Sequence, residues 1–318
     1  MIRVKNIAKH VCLVLIIVLS LLLSACGETK VEVKSAKFSV TYLDVGEGDC
    51  ALIKFPDNKI ALIDTGVNTD ENYHKIVDAM SSLNIDSIQW LILTHPDLEH
   101  IGCATRLIEN VHINSIYIPD VRDKMLFSSI KEIEDCAKLK EIPCVISAWG
   151  EDMSGKDYVL KFLAPLPSMI SESTYVDLNL TDEPTGKQIN NVSAIVYVEY
   201  KGVRFLFTGD AEMEAEDMLI DSAKVGIFKN VNLTNLHFLK VGGHGSKNCS
   251  GEYLLGYVKP QNAVISSGDS FNNHPATETL LRIIEVNPKC NILRTDVYGN
   301  ITVTVNESGE YFIENQIK

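Results

Sequence analysis

Apolar and polar residues alternate along positions 38–45, and short apolar runs follow at 51–55 and 59–64, so the chain opens as three strands. Pro56-Asp57-Asn58 separates the second run from the third and predicts a hairpin turn. Helical spacing over 71–83 leads to the buried strand 90–94, a helix near 100–110, a strand at 112–118 and a long helix near 123–140. The second half repeats the first in kind. Strands at 192–200 and 202–208 alternate as an antiparallel pair, 211–221 is helical, 236–241 a strand, 250–258 a helix and 262–266 a strand. A helix at 276–286 precedes strands at 291–294 and 301–305, while 168–190 is a polar insertion. Strands clustered in two halves with helices outside predict two sheets packed face to face between helical layers, with strand-end loops sharing one rim.

The first 25 residues stand apart from this pattern. Arg3, Lys5 and Lys9 precede an apolar run at 11–23, broken only at Ser20, and Leu23-Ser24-Ala25-Cys26 matches the lipobox of bacterial lipoproteins. The run is short for a bilayer span, which needs about 20 apolar residues. The expected organisation is a signal peptide over 1–25, a lipidated Cys26 with a polar tether over 26–36, and a hydrolase-type domain over 37–318. The chain would be exported and held by its lipid at the outer face of the cytoplasmic membrane, or at a periplasmic face; an uncleaved signal anchor is the alternative.

A formal net charge of −13 disfavours non-specific polyanion binding, which draws its affinity from Lys and Arg neutralising phosphates. Beyond Cys12 and Cys26 the cysteines are Cys50, Cys103, Cys136, Cys144, Cys249 and Cys290, with no CxxC pair to suggest a zinc ribbon or a thioredoxin-like site. Mostly buried free thiols are expected, Cys136–Cys144 being the one pair near enough in sequence to consider for a disulfide.

The chemistry concentrates at three strand ends. Thr94-His95-Pro96-Asp97-Leu98-Glu99-His100 packs two imidazoles and two carboxylates into six residues. Such groups repel or stay unsatisfied unless a cation sits among them, whereas a bland alternative makes the segment a solvated turn with Asp97 as a helix cap. Phe207-Thr208-Gly209-Asp210 ends a second strand on a carboxylate, and Val241-Gly242-Gly243-His244-Gly245-Ser246 ends a third on an imidazole between glycines. Three strand ends each presenting His or Asp point to one shared metal site.

These residues, with Leu43-Asp44-Val45-Gly46-Glu47-Gly48-Asp49, Leu62-Ile63-Asp64-Thr65-Gly66, Asn191-Val192-Ser193, His274-Pro275 and Arg294-Thr295-Asp296, resemble the metallo-β-lactamase superfamily. Within it they resemble the hydrolase domain of ComEC-type competence proteins, from about residue 37 to residue 313. The resemblance implies an α/β fold, the four-layer αββα sandwich. It implies metal ligands His95, Asp97, Glu99, His100, the bridging Asp210 and His244, with Asp97, Asp210 and His244 also catalytic. Asp64 is similar to an outer carboxylate that orients ligands; Asp49, Thr94, Ser246 and His274 fall in rim motifs that would line the pocket, Lys247 or His274 would steady an anionic substrate, and Asn191 stands where other members carry a further histidine. Three departures stand out: Glu99 for the usual Asp, Gly243 where many relatives carry a second histidine, and Glu47 for the usual Gln.

The implied mechanism is hydrolysis assisted by two divalent ions, Zn2+ or Mn2+, about 3.5–4 Å apart, lowering the pKa of a shared water toward roughly 7. The expected function is that of a membrane-attached phosphodiesterase, with nuclease chemistry on DNA or cleavage of a phosphodiester in a cell-envelope polymer. A non-catalytic exported binding protein that keeps part of the metal site is the alternative, and a β-lactamase stands behind both because Asp97 occupies a position that a lactamase fills with His. No polytopic apolar stretch follows the domain in this sequence, so a stand-alone relative of the hydrolase part is expected, and no protein partner is inferable.

Overall fold

In a computed structural model the described residues are 37–119, 128–172, 186–268, 273–315 and 317, and every structural statement below concerns these. The expected signal peptide, Cys26 and the tether lie outside them, as do 120–122, 123–127 of the predicted long helix and 173–185 of the insertion. The strands run β1 (Phe38–Tyr42), β2 (Ala51–Lys54), β3 (Ile60–Ile63), β4 (Ser87–Ile88), β5 (Trp90–Ile92), β6 (His112–Ile113), β7 (Ile116–Ile118) and β8 (Cys144–Ile146). They continue with β9 (Tyr158–Ala164), β10 (Ile195–Tyr200), β11 (Val203–Phe207), β12 (Phe238–Lys240), β13 (Asn262–Ile265), β14 (Asn291–Arg294), β15 (Ile301–Val305) and β16 (Tyr311–Glu314).

One sheet has the order β16-β15-β1-β2-β3-β5-β7-β8 and the other β14-β13-β12-β11-β10-β9, with β4 and β6 forming a small parallel pair. The strand pattern explains the layering. In β2, β3 and β5 neighbouring side chains go to opposite faces: Ile53, Ile63 and Ile92 enter the core between the sheets, while Leu52, Leu62 and Leu91 enter a second core beneath the helices. Strands buried on both faces read as unbroken apolar runs, which is how these appear in the sequence. A third core, with Leu206, Leu239 and Ala263, lies between the second sheet and its own helices. Three apolar layers separate four layers of structure, the αββα arrangement expected from the sequence. Aromatic pairs fill the centre, Phe38 stacking on Tyr200 with ring centroids 5.0 Å apart and Phe205 on Phe238 at 4.9 Å.

Topology then positions the chemistry. β3, β5, β7 and β8 are parallel, and so are β11 to β14. Parallel strands end at one edge, so the loops after β3, β5, β11, β12 and β13 collect at a common rim.

Several expectations need correction in detail. The helix expected near 100–110 is two helices, Leu98–Ile101 and Ala104–Asn110. The strand expected at 112–118 divides between β6 and β7, which pair in different sheets. β4, β8, β9 and β16 have no counterpart among the expected strands. The last strands return to the first sheet, where β15 pairs antiparallel with β1. Of the six cysteines beyond residue 37, Cys50, Cys103 and Cys249 are buried, but Cys136 and Cys290 are partly exposed and Cys144 is exposed; all six are free, so Cys136 and Cys144 are not joined. Among the described residues, no helix is long and apolar enough to cross a membrane.

Candidate metal centre

The hexad leaves β5 and turns straight into the helix Leu98–Ile101. Asp97 occupies the position before that helix with extended backbone, but its side chain makes no capping hydrogen bond. The bland alternative, Asp97 as a helix cap, therefore fails, and the carboxylate turns instead to His95, with Oδ2 3.1 Å from Nε2. The His95 imidazole holds the Asp97 carboxyl below its usual range despite partial burial. Nδ1 of the fully buried His95 has no hydrogen-bond partner, and Nε2 meets Asp97 at a distance without full hydrogen-bond geometry.

His100 is anchored from behind. Asp64, at the end of β3, adopts a left-handed backbone (φ 59°), a conformation in which Asp is enriched among non-glycine residues. Its Oδ1 accepts the Thr94 N–H at 2.7 Å and its Oδ2 accepts the Thr94 hydroxyl at 2.6 Å. The same Oδ2 lies 2.9 Å from His100 Nδ1. With Nδ1 donating to this carboxylate, Nε2 points the other way, toward Asp210 Oδ1 at 3.1 Å.

Asp210 follows β11 through Gly209, whose φ is +53° and whose added Cβ would come within 3.0 Å of Thr94 Oγ1. Only glycine lets the two loops approach this closely. The Asp210 N–H donates to Ser193 Oγ at 3.2 Å, fixing the loop. His244 sits in the tight turn Gly242–Gly245 with left-handed backbone at residues 243 and 244. Its Nδ1 faces the Ser266 carbonyl at 3.2 Å and Asp49 Oδ1 at 3.3 Å, leaving Nε2 4.0 Å from Asp210 Oδ1.

The ligand atoms of His100, Asp210 and His244 all lie within 4.8 Å of one another, and all three residues are buried. His95 completes the wall, its ring centroid 5.2 Å from that of His100, which lies 5.3 Å from His244. The electrostatics select for positive charge. Burial pushes His100 down, yet Asp210 and Asp64 outweigh it and raise the imidazole well above its ordinary value. Burial likewise pushes Asp210 up, and the three histidines hold it well below the carboxylate range. His95 Nε2, His100 Nε2, His244 Nε2 and Asp210 Oδ1 are buried without hydrogen-bond geometry to any partner. Orphaned buried polar atoms are rare, and three converging on one point, with a fourth on the neighbouring His95 ring, fit a divalent cation.

The other expected residues divide. Thr94 and Asp64 form the backing of His100, and Asp49 that of His244. The Glu99 side chain is half-buried and joins no such ligand group, although its carbonyl accepts the Asp49 N–H at 3.1 Å. Asn191 is not turned to the centre: its Oδ1 accepts the Glu212 N–H at 3.1 Å. Ser246 spends its hydroxyl on the Asn248 N–H, Lys247 is exposed, and His274 Nδ1 lies 3.1 Å from Glu47 Oε1. Gly243 explains the missing second histidine, since a Cβ there would lie 2.7 Å from the buried Cys249 Sγ.

Sequence reasoning missed Lys240 and Glu216. Lys240 is a charge inside an apolar strand, a pattern that could have marked it. Glu216 accepts the Ser250 and Gly251 N–H groups at 2.6 and 2.8 Å and so pins the loop beyond His244.

A family model described as the metallo-beta-lactamase superfamily matches residues 43–268. The chain is 25% identical over 287 residues to ComE operon protein 3 of Bacillus subtilis (strain 168), a match covering 84% of this chain and 33% of that protein. It is 26% identical over 272 residues to Competence protein ComA of Neisseria gonorrhoeae, covering 85% of this chain and 33% of the relative. The chain thus spans about a third of the length of these curated relatives. Among solved structures it is similar to CmlA, a diiron β-hydroxylase from Streptomyces venezuelae, at 12% identity and a TM-score of 0.52, covering 86% of this chain and 55% of the other; that likeness concerns the fold alone.

Proposed function

From the premise that this chain belongs to the metallo-β-lactamase superfamily, whose members are usually metal-dependent hydrolases, we propose that it is a hydrolase of phosphodiesters. The observation that carries the reading is the convergence of His100, Asp210 and His244, each buried and each of the two imidazoles backed at Nδ1. These residues, joined by His95 and Asp97, would hold divalent ions, Zn2+ or Mn2+. Such ions, when bound, supply hydroxide at neutral pH and neutralise charge developing on a phosphoryl oxygen.

The chain's own groups do the rest. Asp64 and Thr94 fix the tautomer and angle of His100, so that no reorganisation is needed on binding. Asp210, facing both His100 and His244, would serve both halves of the centre. Asp97, at the solvent side with its side chain 45% exposed and kept ionised by His95, would be placed to accept a proton from water.

Likeness to the competence proteins supports nuclease chemistry on DNA, whereas the acidic chain favours a smaller target such as a phosphodiester of a cell-envelope polymer. Export and a lipid anchor at Cys26 belong to the same proposal and would place the site outside the cytoplasmic membrane. Glu99, lying outside the ligand group, favours a second reading, a binding protein with a reduced metal site. Elemental analysis together with hydrolysis of bis-p-nitrophenyl phosphate and single-stranded DNA separates the two. Bound metal with turnover supports the enzyme; bound metal with no turnover on either substrate supports the binding protein.

A further inference from the structure

One buried cation has no part in the centre as described so far. Lys240 ends β12, between Leu239 and Val241, which both enter the outer core of the second sheet. Its own side chain turns the other way and is 4% exposed. The ammonium lies 2.7 Å from Asp49 Oδ1 and donates to the Val241 carbonyl at 3.0 Å. Asp49 belongs to the loop between β1 and β2, in the opposite sheet. Its N–H donates to the Glu99 carbonyl at 3.1 Å, and its carbonyl accepts the Gly66 N–H at 2.9 Å. The pair therefore bridges the two sheets at the rim and is tied by backbone to the loop of the hexad.

Beyond Lys240, the same Asp49 oxygen lies 3.3 Å from Nδ1 of His244, the ring nitrogen remote from Asp210. A buried ion pair is a poor source of stability, because desolvating two charges offsets most of their attraction, and an apolar residue of similar volume usually serves the core as well. Its placement, ending on a ligand's outer nitrogen, gives it another use. Burial pushes the Asp49 carboxyl up, but the ammonium and the imidazole together outweigh that and hold it below the carboxylate range.

We propose that Lys240 is a positioning residue of the metal centre: by fixing Asp49 it holds the outer edge of His244, so that Nε2 faces Asp210. This rests on the metal-centre reading above. The Ser266 carbonyl, at 3.2 Å, shares the Nδ1 proton. Removal of the pair therefore loosens the ring and does not release it.

The test uses the full chain and the variants Lys240→Met, Asp49→Asn, their double, and Lys240→Arg. Zn2+ affinity is measured by chelator competition, the Co2+-loaded absorption spectrum is recorded, and the thermal midpoint of the metal-free protein is followed. Each single variant and the double are expected to lose the same affinity, about 10- to 100-fold, as outer partners of metal ligands commonly do. Their Co2+ bands should shift, and Lys240→Arg, which keeps the cation, should recover part of the loss. The double removes both charges together, so it reports on the site even if Lys240→Met alone fails to fold. Wild-type affinity and an unchanged Co2+ spectrum in the double, whatever its midpoint, would overturn the proposal and leave Lys240 a structural residue. A wild-type chain that binds no divalent ion would overturn the metal-centre reading itself, and this inference with it.

Discussion

The two halves of the ligand cluster differ in what stands behind them. On one side, His100 Nδ1 meets Asp64 and His244 Nδ1 meets Ser266 and Asp49, so both rings turn Nε2 toward Asp210. On the other side His95 Nδ1 has no hydrogen-bond partner, and Asp97, 3.1 Å from His95 Nε2, has a side chain 45% exposed. A ligand anchored at its remote atom is oriented before the ion arrives, whereas an unanchored one must be ordered by the ion itself. We expect His100, Asp210 and His244 to form the tight seat and His95 with Asp97 the exchangeable one.

The largest effect should come from the residue both halves share. Asp210→Ala is expected to lower kcat/KM on bis-p-nitrophenyl phosphate by on the order of 10³-fold, several kcal/mol of charge stabilisation at tenfold per 1.36 kcal/mol. The thermal midpoint shows whether the fold survives; retained turnover would break the comparison at its root. Next, Asp64→Asn should weaken the tight seat by about 10- to 100-fold in Zn2+ affinity. His95→Ala should instead remove the weaker ion and leave the tight one, read by metal titration. Equal losses from the two variants would erase the distinction.

A third effect reaches the tight half from outside. Burial pushes the Glu216 carboxyl up to about 7 from an ordinary 4.5. The folded chain therefore holds this proton at pH values where the unfolded chain has lost it. Stability from this group is full below about pH 4.5 and falls as pH rises through 7, by roughly 3 kcal/mol over the window. Thermal midpoints of wild type and Glu216→Gln between pH 4.5 and 8 should show that slope in the wild type and a flatter curve in the variant; parallel curves would contradict it. The smallest effect belongs to Glu99→Asp, expected to preserve or modestly raise activity. A severe loss in the same assay would mean that the longer acid takes part in the weaker half.

The sequence made the ligand types legible because each stands at the end of an apolar strand, where a parallel sheet must gather its loops. His95, His100, Asp210 and His244 could be read from that rule and from family likeness. Backing was only partly legible. Asp64 lies in a recognisable motif, but its grip on Thr94 and His100 depends on a left-handed turn that no pattern announces. Asn191 carried no local sign that its oxygen would be taken by Glu212. Lys240 and Glu216 escaped because a buried charge is defined by its partner, and theirs are 191 and about 34 positions away in the chain. Elements shorter than four residues, such as β6 and β7, are too brief for a periodic signal to separate.

Crystals grown with Zn2+ and measured at the metal's absorption edge test the central claim most directly. We expect the strongest peak about 2.0–2.2 Å from Nε2 of His100, Nε2 of His244 and an Asp210 oxygen, with a weaker one beside His95 and Asp97. A dominant peak away from Asp210, or none at the rim, would contradict it.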